Sequence, residues 1–188
     1  MIKFEKKHIP NCISVFRLLL IPVFLYFYFY KRNIARAAAT FILAGTSDVV
    51  DGILARHNNW ITNVGKILDP VADKCMQATV LISLSIDKII PWWISAILIG
   101  KELLMVLGAT RLIKKLDFYV QSGWYGKLAV VLFYAVVIVL MLVKDLSGTA
   151  QTVLSLSLIV AMLFALVMYY VKVYRKKSQA FKQISAKH

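Results

Sequence analysis

Continuous apolar runs separated by short charged connections divide this chain into six stretches, near residues 12–30, 34–55, 68–87, 90–112, 124–143 and 150–172. Each approaches the roughly 20 residues that a helix needs to cross a hydrocarbon core. The runs do not alternate in polarity, and lipid offers no partner for an open strand edge, so helices are predicted throughout. The expected fold class is an all-α integral membrane protein: six transmembrane helices in a single membrane domain over 1–188, with a short N-terminal interfacial amphipathic helix. That amphipathic segment, residues 1–9, mixes Ile2, Phe4 and Ile9 with Lys3, Lys6 and Lys7. Lysines before an apolar run and Ala35-Arg36-Ala37 beyond it imitate a signal peptide. The run is too long for one, which predicts an uncleaved span. Tyr26, Tyr28, Tyr30, Trp92 and Trp93 fall near span ends, where belt aromatics belong.

Composition strengthens this picture. Hydrophobic residues make up 60% of the chain and charged residues 17%, with a mean hydropathy of +0.72, outside the usual soluble range. The net charge of +14 is concentrated at segment ends and in the Lys172–Lys187 tail, so anionic headgroups are the expected partner rather than nucleic acid. An even number of spans puts both termini on one side, together with the connections near 56–67 and 113–123. That side holds most of the Lys and Arg; the other has little beyond Lys31, Arg32, Arg36, Lys88 and Lys144. The asymmetry predicts a multi-pass protein of the cell membrane with both termini and the active site cytoplasmic. Cys12 and Cys75 lie in or beside apolar segments, where packing is the expected role, with neither disulfide nor zinc site. The sequence shows no inverted repeat of the kind common in secondary transporters.

Four of the nine acidic residues change the question from architecture to chemistry. Asp48 and Asp51 stand three apart at the end of the second span, and Asp69 and Asp73 four apart at the start of the third, so each pair shares a helix face. Moved toward the bilayer centre, four carboxylates would cost on the order of 10 kcal/mol unless cations or water offset them. The short connection makes the two helices antiparallel neighbours whose acidic faces can meet as an all-oxygen cage. Such donors favour Mg²⁺, Mn²⁺ or Ca²⁺ over zinc or copper, and His57, the only histidine in the connection, is expected to be a solvated loop residue. Two ions roughly 3.5 to 4 Å apart would suit phosphoryl displacement. Protons compete with metal for the same oxygens, so binding should tighten as pH rises. Gly52 leaves room beside Asp51, Gly65 permits another close approach, and the Arg56 guanidinium suits phosphate. Asp69 followed by Pro70 has the order of an N-cap and first helical residue, which predicts that the third span begins there. Two other uses of these acids stand beside this one: ion pairing with Arg56, Lys66, Lys74 or Arg111, and a divalent-cation transporter or channel.

The string Asp48, two residues, Asp51-Gly52, two residues, Ala55-Arg56, eight residues, Gly65, three residues, Asp69, three residues, Asp73 resembles the signature of the CDP-alcohol phosphatidyltransferases at every defined position. The likeness extends to Pro10-Asn11, Ser14, Arg17 and Pro22, and Leu68–Lys74 looks most like bacterial phosphatidylglycerophosphate synthases. The resemblance implies six spans, a homodimer, a cytoplasm-facing polar cavity and CDP-diacylglycerol as donor. By matching position it implies that Asp48, Asp51, Asp69 and Asp73 bind the metal, that Gly52, Ala55, Arg56 and Gly65, with Asp48 and Asp69, hold the nucleotide, and that Asp73 is the general base. The implied reaction is transfer of a phosphatidyl group to an alcohol, with Mg²⁺ or Mn²⁺ as cofactor and CMP as the leaving group.

For the acceptor the resemblance divides. Phosphatidylglycerophosphate synthases carry an Arg-Glu pair in the fourth span and later a Gly-Lys-x-Lys-Thr segment; here the residues are Lys101-Glu102 and Gly126-Lys127-Leu128-Ala129. Arg111, Lys114, Lys115 and Lys127 still form a basic rim suited to the phosphate of glycerol 3-phosphate, or a plain solvated face. Pro91-Trp92-Trp93 followed by Lys101–Gly108 is similar to eukaryotic-type cardiolipin synthases, which would make phosphatidylglycerol the acceptor. Asn11, Ser14 and Arg17 on the first span are further acceptor-binding candidates, with helix capping by Asn11 and snorkelling by Arg17 as the ordinary alternatives.

Overall fold

In the computed structural model the described residues are 9–57, 65–116, 124–143 and 146–185; the described side chains are those of 12–47, 50, 68–69, 71–104, 126, 128–143, 146–168 and 171. Every regular element among them is helical. α1 (Ile9–Leu25) passes into a π-helical turn (Tyr26–Tyr30) and is followed by α2 (Ile34–His57), α3 (Gly65–Ile86), α4 (Trp92–Leu116), α5 (Trp124–Leu142) and α6 (Gly148–Ser185). These six helices coincide with the six expected apolar stretches. Two windows, Cys12–Tyr30 and Gly148–Met168, are long and apolar enough to cross a membrane, and α2 and α5 carry the shorter apolar stretches Ile34–Ser47 and Leu128–Leu142. The expected amphipathic segment lies almost wholly outside the described residues; Ile9 already belongs to α1.

Two boundaries differ from expectation. α6 continues to Ser185 rather than ending near 172, because the basic tail keeps good helix formers after the apolar run stops. α3 begins at Gly65, so Asp69 is its fifth residue and not an N-cap. Near a helix start Pro70 removes only one backbone bond, to the carbonyl of residue 66, and the upstream turn forms despite it.

The chain divides into two compact units, residues 1–95 with 138–146, and residues 96–137 with 147–188. In the first, α1 packs along both α2 and α3. Its core draws Phe24 from α1, Tyr28 from the π-helical turn, Ala37, Ala38, Phe41 and Ala44 from α2, and Ala72, Met76, Val80 and Leu84 from α3. The alanines of α2 let backbones approach closely, the usual device where lipid gives no hydrophobic drive between helices. Phe24 and Tyr28 stack with centroids 5.4 Å apart. At the far end Lys31 N–H bonds to the Tyr26 carbonyl (2.9 Å), closing the π turn, and Arg32 takes φ 49°. Asn33 then caps α2, its side-chain oxygen accepting from the Arg36 N–H at 3.0 Å. α3 ends in a Schellman arrangement around Lys88 (φ 59°), with Ile89 N–H on the Leu84 carbonyl (2.9 Å) and Lys88 N–H on that of Ser85 (3.1 Å). Ser85 and Ser95 hydroxyls meet at 2.6 Å and tie the end of α3 to the start of α4.

Two contacts between α1 with its turn and α3 share one sequence offset of 55 residues: Ser14 with Asp69, and Arg32 with Asp87. A constant offset at both ends means the two helices run parallel, as an up-down-up order requires.

The second unit contains the rest of α4, most of α5, and α6. Its buried side chains include Leu98, Phe133, Val137, Leu158 and Met162, and Lys101, also buried, donates to Met162 Sδ at 3.1 Å while pairing with Glu102. Leu104, Val131 and Val160 face outward at 64% to 69% exposure, an apolar exterior suited to lipid. Cys12 and Cys75 are free and exposed, so the packing role expected of them is corrected: both sit on outward faces of their helices.

Candidate functional site

The described part of the site is one face of α3 and the helix that covers it. Asp69, Asp73 and Gln77 recur every four residues and share that face. Ser14, fully buried on α1, donates its hydroxyl to Asp69 Oδ1. Arg17 follows one helical turn later and is also fully buried. The parallel register brings it level with the turn that carries Asp73. Full burial excludes snorkelling of Arg17 to solvent and leaves it on the acidic face's covering helix.

Asp73 is held from within its own helix. Gln77 Nε2 donates to Asp73 Oδ1 at 3.3 Å and Oδ2 at 3.2 Å, and Lys74 Nζ donates to Gln77 Oε1 at 3.1 Å. Lys74 Nζ also lies 3.4 Å from Asp73 Oδ2, so the ion pairing anticipated for Lys74 is present. In the sequence Lys74 is an ion-pair candidate only, and Gln77 does not stand out at all. Their spacing of one and four from Asp73 is the signal that would have found them.

Of the residues expected at the site, Ser14 and Asp69 are thus in contact, Asp73 lies one turn along the same face of α3, and Arg17 lies one turn beyond Ser14 on α1. The α2 backbone carries Asp48, Asp51, Gly52, Ala55 and Arg56, and Gly65 opens α3, but the side-chain surroundings of these six lie outside the described residues. The same holds for Asn11, Arg111 and Lys127. Asn11 is the third residue inside α1, which sets aside helix capping, the ordinary alternative for it, since α1 already includes Ile9. Among the described residues no group of three metal-ligating side chains converges. The described acidic donors of the face, Asp69 and Asp73, are carboxylates and match the hard oxygen chemistry of a magnesium or manganese ion.

Several known proteins are similar to this chain. The CDP-alcohol phosphatidyltransferase family model matches residues 7–173, across both compact units. A probable phosphatidylglycerophosphate synthase of Mycobacterium tuberculosis is 32% identical over 146 residues, covering 75% of this chain and 68% of that protein. A CDP-diacylglycerol–glycerol-3-phosphate 3-phosphatidyltransferase of Aquifex aeolicus is 35% identical over 123 residues, 64% of this chain and 67% of the relative. A CMP-forming cardiolipin synthase of Streptomyces coelicolor is 34% identical over 110 residues, 55% of this chain and 51% of the relative.

Proposed function

This chain belongs to the CDP-alcohol phosphatidyltransferase family, and on that premise we propose that it transfers the phosphatidyl group of CDP-diacylglycerol to glycerol 3-phosphate in phospholipid synthesis, releasing CMP. The observation that carries the reading is the acidic face of α3, where Asp69 and Asp73 stand one turn apart under Ser14, in a chain whose aspartate spacing fits the family signature throughout.

Asp48, Asp51 and Asp69, with Asp73, would hold Mg²⁺ or Mn²⁺, two ions by the number of carboxylates. When bound, such ions supply neutralising charge at the donor's pyrophosphate. Gly52, Ala55, Arg56 and Gly65, with Asp48 and Asp69, bind the cytidine diphosphate portion, the glycines by leaving space and Arg56 by its planar donors. Asp73 accepts the proton of the acceptor hydroxyl. The freed oxygen attacks the lipid-side phosphorus in line; the new P–O bond forms as the bond to CMP breaks, its electron pair leaving on the nucleotide phosphate. Arg111 and Lys127, with Asn11, Ser14 and Arg17, are assigned to the acceptor. The six helices span the cell membrane with termini and site facing the cytoplasm, so acyl chains stay in lipid while nucleotide enters from water, and the protein works as a homodimer.

A second reading has a specific observation behind it: Lys101-Glu102 and Gly126–Ala129 depart from the phosphatidylglycerophosphate synthase pattern, and part of the chain resembles cardiolipin synthases. Phosphatidylglycerol would then be the acceptor. Purified protein given CDP-diacylglycerol, Mg²⁺ or Mn²⁺ and a panel of alcohols decides between them by mass spectrometry of the product. Phosphatidylglycerophosphate supports the first reading and cardiolipin the second. Metal flux into sealed liposomes with no CMP released would make the protein a transporter and end both. With glycerol 3-phosphate as acceptor, Arg111→Ala with Lys127→Ala should raise its KM about tenfold or more, the scale of one lost charge-assisted phosphate bond; unchanged saturation removes both residues from the acceptor site.

A further inference from the structure

Gln77 has no place in the family signature, yet both ends of its amide are engaged beside the acidic face. It is 3% exposed, in a region where an amide without partners would be costly. Its Nε2 lies at nearly equal distances, 3.3 and 3.2 Å, from the two oxygens of Asp73. A donor shared in this way engages both oxygens of the carboxylate at once and so restrains the group as a whole. The other end of the amide is fixed too, by Lys74 Nζ at 3.1 Å from Oε1. Rotating the amide by half a turn would set its oxygen against the carboxylate and its NH₂ against the ammonium, so Lys74 selects the orientation in which Gln77 donates.

We propose that Gln77, oriented by Lys74, is a positioning residue that sets the Asp73 carboxylate to receive the proton of the acceptor alcohol. This rests on the reading of Asp73 as the general base. An i,i+4 pair that merely supported the helix would contribute a few tenths of a kcal/mol to stability and nothing specific to turnover. A positioning role instead concentrates its effect in kcat, because a base displaced by about 1 Å costs on the order of a hundredfold in rate.

The test uses Gln77→Met, which keeps length and flexibility without polar atoms, and Gln77→Glu, which keeps shape but replaces the donor by a second carboxylate. CMP release is followed with CDP-diacylglycerol in mixed micelles and glycerol 3-phosphate, or phosphatidylglycerol if the alcohol panel selects it. Both variants should lose about 10- to 100-fold in kcat with the KM for CDP-diacylglycerol within about twofold. Lys74→Met, which frees the amide to turn, should lose less, about three- to tenfold. In an Asp73→Asn background Gln77→Met should add no further loss. Wild-type kcat in Gln77→Met overturns the proposal, as does a loss expressed wholly as raised KM or lowered melting temperature, or one that persists undiminished in the Asp73→Asn background. Should Gln77→Met not fold, Gln77→Glu and Lys74→Met decide alone. Full turnover by Asp73→Asn is a different failure: it removes the base, whatever Gln77 does.

Discussion

The α1–α3 pair holds aspartates at both of its ends, two at one and one at the other, and the two ends do it differently. At one, Asp69 takes a serine hydroxyl from the neighbouring helix and Asp73 a carboxamide from its own. At the other, Asp87 takes a guanidinium, with Arg32 Nη1 3.1 and 2.9 Å from its two oxygens. A carboxylate already matched by a close arginine has its charge answered and little reason to bind a metal. Asp69 and Asp73 have neutral hydroxyl and amide donors among their partners, and neutral donors orient a carboxylate without cancelling its charge. Lys74, at 3.4 Å from Asp73, tempers that contrast. The same parallel register thus holds the candidate site at one end and a clasp at the other.

The largest effect should come from removing the charge the inner end preserves. Asp73→Asn is expected to lower turnover by about a thousandfold, in the range for a general base, while CDP-diacylglycerol binding measured by isothermal titration stays nearly unchanged. Retained turnover would take Asp73 out of the proton-transfer step and collapse the contrast between the two ends. Next in size is Ser14→Ala, which leaves Asp69 in place but deletes its partner on α1. Outer-shell partners of metal ligands commonly contribute 10- to 100-fold, so the Mg²⁺ concentration for half-maximal activity should rise about tenfold. If that midpoint does not move, the Ser14–Asp69 bond joins helices and nothing more.

How far the sequence foretold this arrangement depends on what each inference rested on. The six helices followed from apolar run length, and the pairing of Asp69 with Asp73 on one face followed from helical period; both are local properties. The start of α3 did not, since Asp69-Pro70 has the composition of a cap and only the extra turn from Gly65 shows that it lies inside a helix. Nor did the role of Ser14, whose partner is 55 residues away and becomes visible only once α1 and α3 are side by side. Gln77 was within reach, one turn beyond Asp73, but an amide in an apolar helix gives no chemical signal until its two neighbours are seen.

The smallest effect is expected at the outer clasp. Arg32 is 61% exposed and Asp87 23%, so the pair is screened by solvent and contributes about 1 kcal/mol or less. What it joins is two reversals, each with a non-glycine residue at positive φ, Arg32 at 49° and Lys88 at 59°, and each already closed by backbone bonds. Those bonds survive Asp87→Asn, and the substituted carboxamide can still accept one bond from Arg32. Melting temperature in detergent should therefore fall only by a few degrees, consistent with roughly 1 kcal/mol in a chain of this size, and CMP release should stay within about twofold of wild type. A tenfold loss of activity from Asp87→Asn would mean that the clasp sets the register in which Ser14 meets Asp69, and that the two ends work as one device.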